Sequence, residues 1–185
     1  GIITKALAKR AKAVIAIEAD STLSARLEHE LSGWTNVTIR QADFLRYSLP
    51  RNEFKVFANI PFNLSADIIK KILDSEVPPI EAYLVVQQEA ARKYSGEPYR
   101  RETLFSLLRK PWFSFEIIHR FSRWDFEPPP RVSPVLLRIV RRRNALIDVS
   151  QRNAYQDFVA HGFTSFQPTV KKAFKRVDAA PFPVH

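Results

Sequence analysis

The sequence has no cysteine and no methionine. Without cysteine there are no disulfides and no thiolate metal ligands, a composition expected of a cytoplasmic protein. The four histidines (His29, His119, His161 and His185) are scattered along the chain, so no metal site is expected. No apolar run approaches the roughly 20 residues of a membrane-spanning helix. Acids are scarce beside bases: 19 Asp and Glu against 29 Lys and Arg give a net charge of +10 and a pI near 10.1. An excess of this size points to a polyanionic partner. Because the bases lie in folded-looking segments beside aromatics, nucleic acid is favoured over a membrane, with a merely solvated basic surface as the alternative. Methionine is missing even at the first position, and Gly1 stands directly before a helical pattern. The expectation is a chain that lacks its original start.

What is present is sufficient for a packed core. At 185 residues and 45% apolar content, one ordinary domain with a small appendage is expected. Ile2, Ile3, Ala6, Leu7 and Ala11 recur at helical spacing, with lysines and Arg10 outward, so an amphipathic helix follows Gly1. Ala13 to Ile17 is a continuous apolar run, the mark of a buried parallel strand, and it ends in Glu18-Ala19-Asp20. Ser21 opens a helix through Leu31, and Gly33 follows it. Val37 to Gln41 is the next strand, ending in Ala42-Asp43-Phe44, and Phe54 to Ala58 is a third. Further strands are read at 81–86, 113–121 and 135–140, with helices at 87–94 and 103–108. This alternation predicts a mostly parallel α/β sheet of Rossmann-like type, with helices on both faces. Strand signals stop after Arg143. Residues 1–143 are therefore expected to be one domain, and 144–185 a small helical one with short helices near Ala154–Val159 and Val170–Val177.

The chain is organised around Asn59-Ile60-Pro61-Phe62. The motif sits between the third strand and a helix marked by Ile68, Ile69, Ile72 and Leu73, for which Ser65 reads as N-cap and Asp67 favours the first turn. Open α/β sheets place ligands at such strand ends. Pro61 fixes its own φ and biases Ile60 toward extended backbone, so the turn is stiff. A stiff turn can hold the Asn59 amide and the Phe62 ring in fixed geometry, which suits a flat base: the ring stacks while amide and backbone oxygens accept from an exocyclic amine. The plainer reading is that Asn and Pro are ordinary turn residues and Phe62 is core.

Three successive strands end in the polar residues Glu18, Asp43 and Asn59. An acid after the second strand of such a unit accepts from ribose hydroxyls, and Asp43, flanked by Phe44, is placed to accept from an adenine amine. Gly1 would be the last glycine of a tight turn that lets backbone approach a cofactor. Taken singly, acids at strand ends are often helix caps. Taken in order, they make a specific pattern.

Gly1, Glu18, Asp43 and Asn59-Ile60-Pro61-Phe62 resemble the S-adenosylmethionine-dependent rRNA adenine N6-methyltransferases, and among them most the erythromycin-resistance (Erm) methyltransferases. The resemblance covers nearly the whole chain. Phe126-Glu127-Pro128-Pro129-Pro130-Arg131-Val132 is similar to the family's aromatic-proline motif. Phe158 to Phe163, with Pro168 and Lys172-Ala173, resembles the carboxyl-terminal segment of Erm proteins and separates them from the small-subunit rRNA dimethyltransferases. The resemblance implies S-adenosyl-L-methionine as cofactor and transfer of its methyl to an adenine N6 in 23S rRNA. Resistance to macrolides, lincosamides and streptogramins would follow.

The resemblance also implies the roles of individual residues. Glu18 would bind the cofactor ribose and Asp43 its adenine amine, with Ala19, Phe44 and Gly1 also around the cofactor. Asn59 would lie between cofactor and target base, within the catalytic Asn59-Ile60-Pro61-Phe62 turn; Phe62 would stack on the flipped base, and Phe126 would close over its other side. The chain departs from the family in having Phe62 where Tyr is commoner, and in lacking the upstream strand and earlier glycines. An adenine amine is a poor nucleophile, because its lone pair is delocalised into the ring. Oxygens that accept both its hydrogens turn that lone pair toward the methyl group, so orientation rather than a general base does the chemistry.

Basic clusters are candidates for RNA phosphate contact. They are Lys5, Lys9, Arg10 and Lys12; Arg92, Lys93, Arg100 and Arg101; Arg131; Arg141, Arg142 and Arg143; and Lys171, Lys172, Lys175 and Arg176. Each alone reads equally as a solvated face. The expected partner is ribosomal RNA, large-subunit rather than small-subunit, approached by a monomer with no membrane or metal. The alternatives are a small-subunit (16S) rRNA adenine dimethyltransferase and a non-catalytic RNA-binding relative.

Overall fold

The computed structural model describes residues 1–165. By its internal contacts the chain separates into two compact units, Gly1–Pro79 and a second that starts at Ile80. This division differs from the Arg143 boundary drawn from the sequence.

The first unit runs α1 (Ile2–Ala8), β1 (Val14–Glu18), α2 (Ser21–Glu30), β2 (Val37–Gln41), β3 (Lys55–Asn59) and α3 (Ser65–Leu73). β1 and β2 pair in parallel, from Val14 opposite Val37 to Glu18 opposite Gln41. Asn36 closes the corner before β2: its Nδ2 donates to the carbonyls of Ala8 at 2.8 Å and Ala11 at 3.0 Å. Asp20 caps α2, its Oδ1 accepting from the Leu23 amide at 2.8 Å. α3 buries Ile68, Ile69, Ile72 and Leu73, the stripe expected of it.

Three local expectations are corrected in this unit. β1 is parallel but not fully buried: in its two-stranded sheet Ile15 keeps 48% of its surface exposed. α1 is only seven residues long and stops at Ala8, so Ala11 is off the helix and no continuous stripe forms; Ala8 is buried while Ile2 is exposed. Ser65 is the first residue of α3 and not its cap. A single 3₁₀ turn, Phe62–Leu64, feeds the helix, and the Ser65 hydroxyl donates to the Phe62 carbonyl at 2.6 Å.

The second unit contains β4 (Glu81–Gln87), α4 (Gln88–Ser95), α5 (Leu104–Leu107), β5 (Phe113–Arg120), β6 (Pro134–Arg141) and α6 (Arg152–Thr164). β6 lies between β4 and β5 and is antiparallel to both. The mostly parallel expectation thus holds for β1 and β2 and fails here. The β5–β6 connection carries one 3₁₀ turn and prolines rather than a crossover helix, so the chain turns straight back. Leu84, Val86, Phe113, Val135, Leu137 and Ile139 form the buried centre of this unit. α6 is tied down by Tyr155, whose hydroxyl donates to the Leu107 carbonyl at 2.8 Å and whose ring meets Trp112 edge-on at 5.8 Å. The helix expected at Val170–Val177 lies outside the described residues. Among the described residues no helix is long and apolar enough to cross a membrane, and no group of three or more His, Cys, Asp or Glu is placed to hold a metal ion.

Candidate active site

The parallel register brings the ends of β1 and β2 together: the Ala42 amide donates to the Glu18 carbonyl at 2.9 Å. Each strand then releases an acid. Glu18 Oε1 accepts from the Asp20 amide at 3.0 Å, which leaves Oε2 with no hydrogen-bond partner among the described residues. Asp43 Oδ1 accepts from the Leu45 amide at 2.9 Å and shapes a turn that its carbonyl also closes, through Arg46 and Tyr47 at 3.0 Å. Its Oδ2 lies 3.8 Å from Arg46 Nε in an exposed pair. Both carboxylates therefore brace a turn with one oxygen and keep acceptor capacity on the other, and acceptors are what donating hydroxyls and an exocyclic amine require. Ala19, next to Glu18, is exposed, and Phe44, next to Asp43, is half-buried.

Asn59 ends β3 in the same unit. It is exposed, and its side-chain amide has no hydrogen-bond partner among the described residues. The turn beneath it is held from several points. Ile60 is buried, Pro61 has φ −57° and ψ 128°, and the Pro61 carbonyl accepts from the Leu64 amide at 3.0 Å. Phe62 is half-buried. An exposed, unpartnered amide on a fixed turn costs binding little ordering entropy when a ligand engages it.

Gly1 packs close to α2: a Cβ there would lie 2.9 Å from Leu27 Cδ2 and 3.3 Å from Glu30 Oε2. Glu30 itself accepts from Lys5 Nζ at 3.0 Å and Arg26 Nε at 2.8 Å. The Lys5 hydrogen bond, then that of Arg26, hold its carboxyl down to a pKa of about 2.

In the second unit, Phe126 is half-buried in extended backbone just after the 3₁₀ turn Arg123–Asp125. Its ring meets Phe121 edge-on at 5.4 Å, and Phe121 in turn meets His119 at 4.6 Å. Aromatic contacts thus hold Phe126 from one side.

The structure sorts the basic candidates. Lys9, Arg10, Arg100, Arg101 and Arg131 are exposed, and Arg141 is half-buried. The loop that carries Arg100 and Arg101 is braced. Gly96 adopts φ +65°, where a Cβ would fall 2.8 Å from Ser106 Oγ; Glu102 pairs with Lys110; and Tyr99 Oη accepts from the Ile117 amide at 3.0 Å. Lys5 is spent on Glu30, and Arg142 Nε donates to the Lys110 carbonyl at 2.9 Å, so neither is a free contact. Lys171 and Lys172 lie outside the described residues. Trp124, absent from the candidates that the sequence offers, stands exposed beside Arg123. Its signal was the Ser122-to-Asp125 spacing of a capping turn.

Residues 1–180 match the family model described as ribosomal RNA adenine dimethylase. An rRNA adenine N-6-methyltransferase of Saccharopolyspora erythraea is 32% identical over 97% of this chain and 48% of its own length. One from Aeromicrobium erythreum is 34% identical over 88% of this chain and 48% of its own length. The chain therefore spans about half the length of these curated relatives. The crystal structure of the 23S rRNA methyltransferase ErmE superposes with a TM-score of 0.88 at 29% identity, over 96% of this chain and 72% of that one. A dimethyladenosine transferase from Plasmodium falciparum has the same fold, with a TM-score of 0.79 at 23% identity over 96% of this chain and 64% of that one. The fold is the Rossmann-like one of S-adenosylmethionine-dependent methyltransferases, and the chain belongs to the ribosomal RNA adenine dimethylase family.

Proposed function

We propose that the protein transfers a methyl group from S-adenosyl-L-methionine to N6 of an adenine in 23S rRNA, acting as a cytoplasmic monomer and giving macrolide-lincosamide-streptogramin resistance. The observation that carries the reading is the Asn59–Phe62 turn, an exposed, unpartnered amide beside a half-buried ring at the carboxyl end of β3. The large subunit is favoured because ErmE, named for 23S rRNA, superposes well on this chain.

Residues 1–143 serve as the catalytic domain and 144–185 as a small appended one. Glu18 accepts from ribose hydroxyls, and Asp43 from the adenine amine of the cofactor, between Ala19 and Phe44; the Gly1 backbone borders the same site. The acceptor oxygens left on both acids fit that chemistry. Bound there, S-adenosylmethionine supplies an electrophilic methyl on a positively charged sulfur. Asn59 Oδ1 and a backbone carbonyl of the Ile60-Pro61 turn accept the two hydrogens of the target amine. This draws the nitrogen lone pair out of the ring and aims it, and the surplus proton leaves to solvent. Phe62 and Phe126 stack on the flipped base. Lys9, Arg10, Arg100, Arg101, Arg131, Arg141, Lys171 and Lys172 meet RNA phosphates.

The test is transfer of labelled methyl to protein-free large-subunit and small-subunit rRNA, with the modified base mapped. Label at an adenine N6 of the large-subunit RNA is expected. Label confined to small-subunit RNA would replace this reading with the small-subunit enzyme, and binding without transfer would leave a non-catalytic relative.

A further inference from the structure

We propose that Trp124 is a stacking platform for an unpaired nucleobase of the RNA, adjoining the base held at Phe126; this rests on the function proposed above. Trp124 keeps 73% of its surface exposed, the largest exposed aromatic of a unit in which Trp112 and Phe113 are buried. It contributes little to the core, yet the backbone beneath it is fixed. The Ser122 amide donates to Asp125 Oδ2 at 2.9 Å, the Trp124 amide to Ser122 Oγ at 3.3 Å, and the Asp125 amide to the Ser122 carbonyl at 3.1 Å. A ring presented on a closed, reciprocally bonded turn is already ordered before anything binds.

The chemistry of the occupant follows from its neighbours. The guanidinium of Arg123 lies 4.8 Å from the Trp124 ring centroid, a cation–π pair that joins a flat aromatic face to a positive charge. A nucleotide offers the matching pair, a planar base and an anionic phosphate, and stacking of this kind tolerates any base. Arg131, exposed in the same connection, adds positive charge. The spacing also fits. Trp124 and Phe126 are two residues apart, and two residues of chain span at most about 7 Å. Successive nucleotides of a strand rise about 3.4 Å. A base on Trp124 can therefore belong to the same short stretch of strand as a base at Phe126, and it must be unpaired to present its face.

The experiment titrates the protein, Trp124→Phe and Trp124→Ala with a short single-stranded RNA and with duplex RNA, reading tryptophan fluorescence and affinity. Single-stranded RNA is expected to quench the wild type, and Trp124→Phe to lose the quenching while keeping affinity. Trp124→Ala is expected to lose roughly ten-fold in affinity with an unchanged melting temperature and, in transfer assays, a raised KM at unchanged kcat. Duplex RNA should distinguish none of the three. If the wild type binds and methylates RNA while Trp124→Ala binds as well as the parent, or if quenching survives Trp124→Phe, this inference falls alone. If the wild type binds no RNA, the inference falls together with the function it rests on.

Discussion

The Ala42 amide donates to the Glu18 carbonyl at 2.9 Å, so β1 and β2 release Glu18 and Asp43 at adjoining strand ends. Parallel pairing makes this happen: two strands running the same way leave their loops at the same end. The first prediction follows from the bonds already present. Glu18→Gln and Asp43→Asn each keep an oxygen for the turn-bracing amide, at Asp20 and Leu45 respectively. Folding should therefore be little changed, while each variant loses a charge-assisted acceptor worth about 1.5–3 kcal/mol. Calorimetry with S-adenosylhomocysteine should show at least about ten-fold weaker binding. Unchanged affinity in both would leave the acids as turn formers and nothing more.

Phe62 and Phe126 are half-buried. Truncating a core phenylalanine to alanine costs about 3–5 kcal/mol of stability. Phe62→Leu and Phe126→Leu should instead reduce transfer by roughly 1–3 kcal/mol of stacking energy with only a small change in melting temperature. A large drop in melting temperature with full activity per folded molecule would assign both rings to packing.

Glu30 gives a pH prediction. Its folded pKa is about 2, below its ordinary 4.5, because Lys5 and then Arg26 donate to it. The stability it contributes is complete above about 4.5 and is lost as pH falls toward about 2. Glu30→Gln should flatten the stability profile over that window and leave it unchanged at neutral pH in slope. Because neither Lys5 nor Glu30 is fully buried, high salt should shrink the effect. An identical acid limb in the variant would remove Glu30 as its source.

RNA affinity should fall linearly with the logarithm of salt concentration, since phosphate contact releases counterions. Neutralising Arg100 and Arg101 together should lower that slope by about two contacts, because their loop is braced by Glu102, Tyr99 and Gly96 and can hold both charges outward. Lys5→Ala should leave the slope unaltered, its charge being committed to Glu30. Equal effects from both would show that net charge, and not these positions, sets affinity.

Local signals were the legible part of the sequence. β2 was read residue for residue at Val37–Gln41, since its ends are marked by Asn36 and the Ala42-Asp43 turn. The stripe of α3 was read because Ile68, Ile69, Ile72 and Leu73 are buried together. Strand direction in the second unit was not legible: Val135 to Val140 is as apolar in an antiparallel sheet as in a parallel one, and periodicity carries no direction. Nor was the fate of single bases. Lys5 and Lys9 look alike in sequence, and only the approach of α2 commits Lys5 to Glu30. Ser65 had the chemistry of a cap, but the preceding 3₁₀ turn uses it one position later. The candidate site was legible as residue types at strand ends; the single free oxygen on Glu18 was not.

If Asn59 orients the reacting amine, its removal must slow a single turnover. Asn59→Ala and wild-type protein should be compared at saturating S-adenosylmethionine and rRNA, with RNA affinity measured alongside. Loss of one positioning hydrogen bond should cost about 2–4 kcal/mol of barrier, a slowing of roughly 30- to 1000-fold. Affinity for RNA should be nearly intact, because the exposed Asn59 amide supports no other described contact. Methyl transfer by Asn59→Ala at close to the wild-type rate would contradict the account.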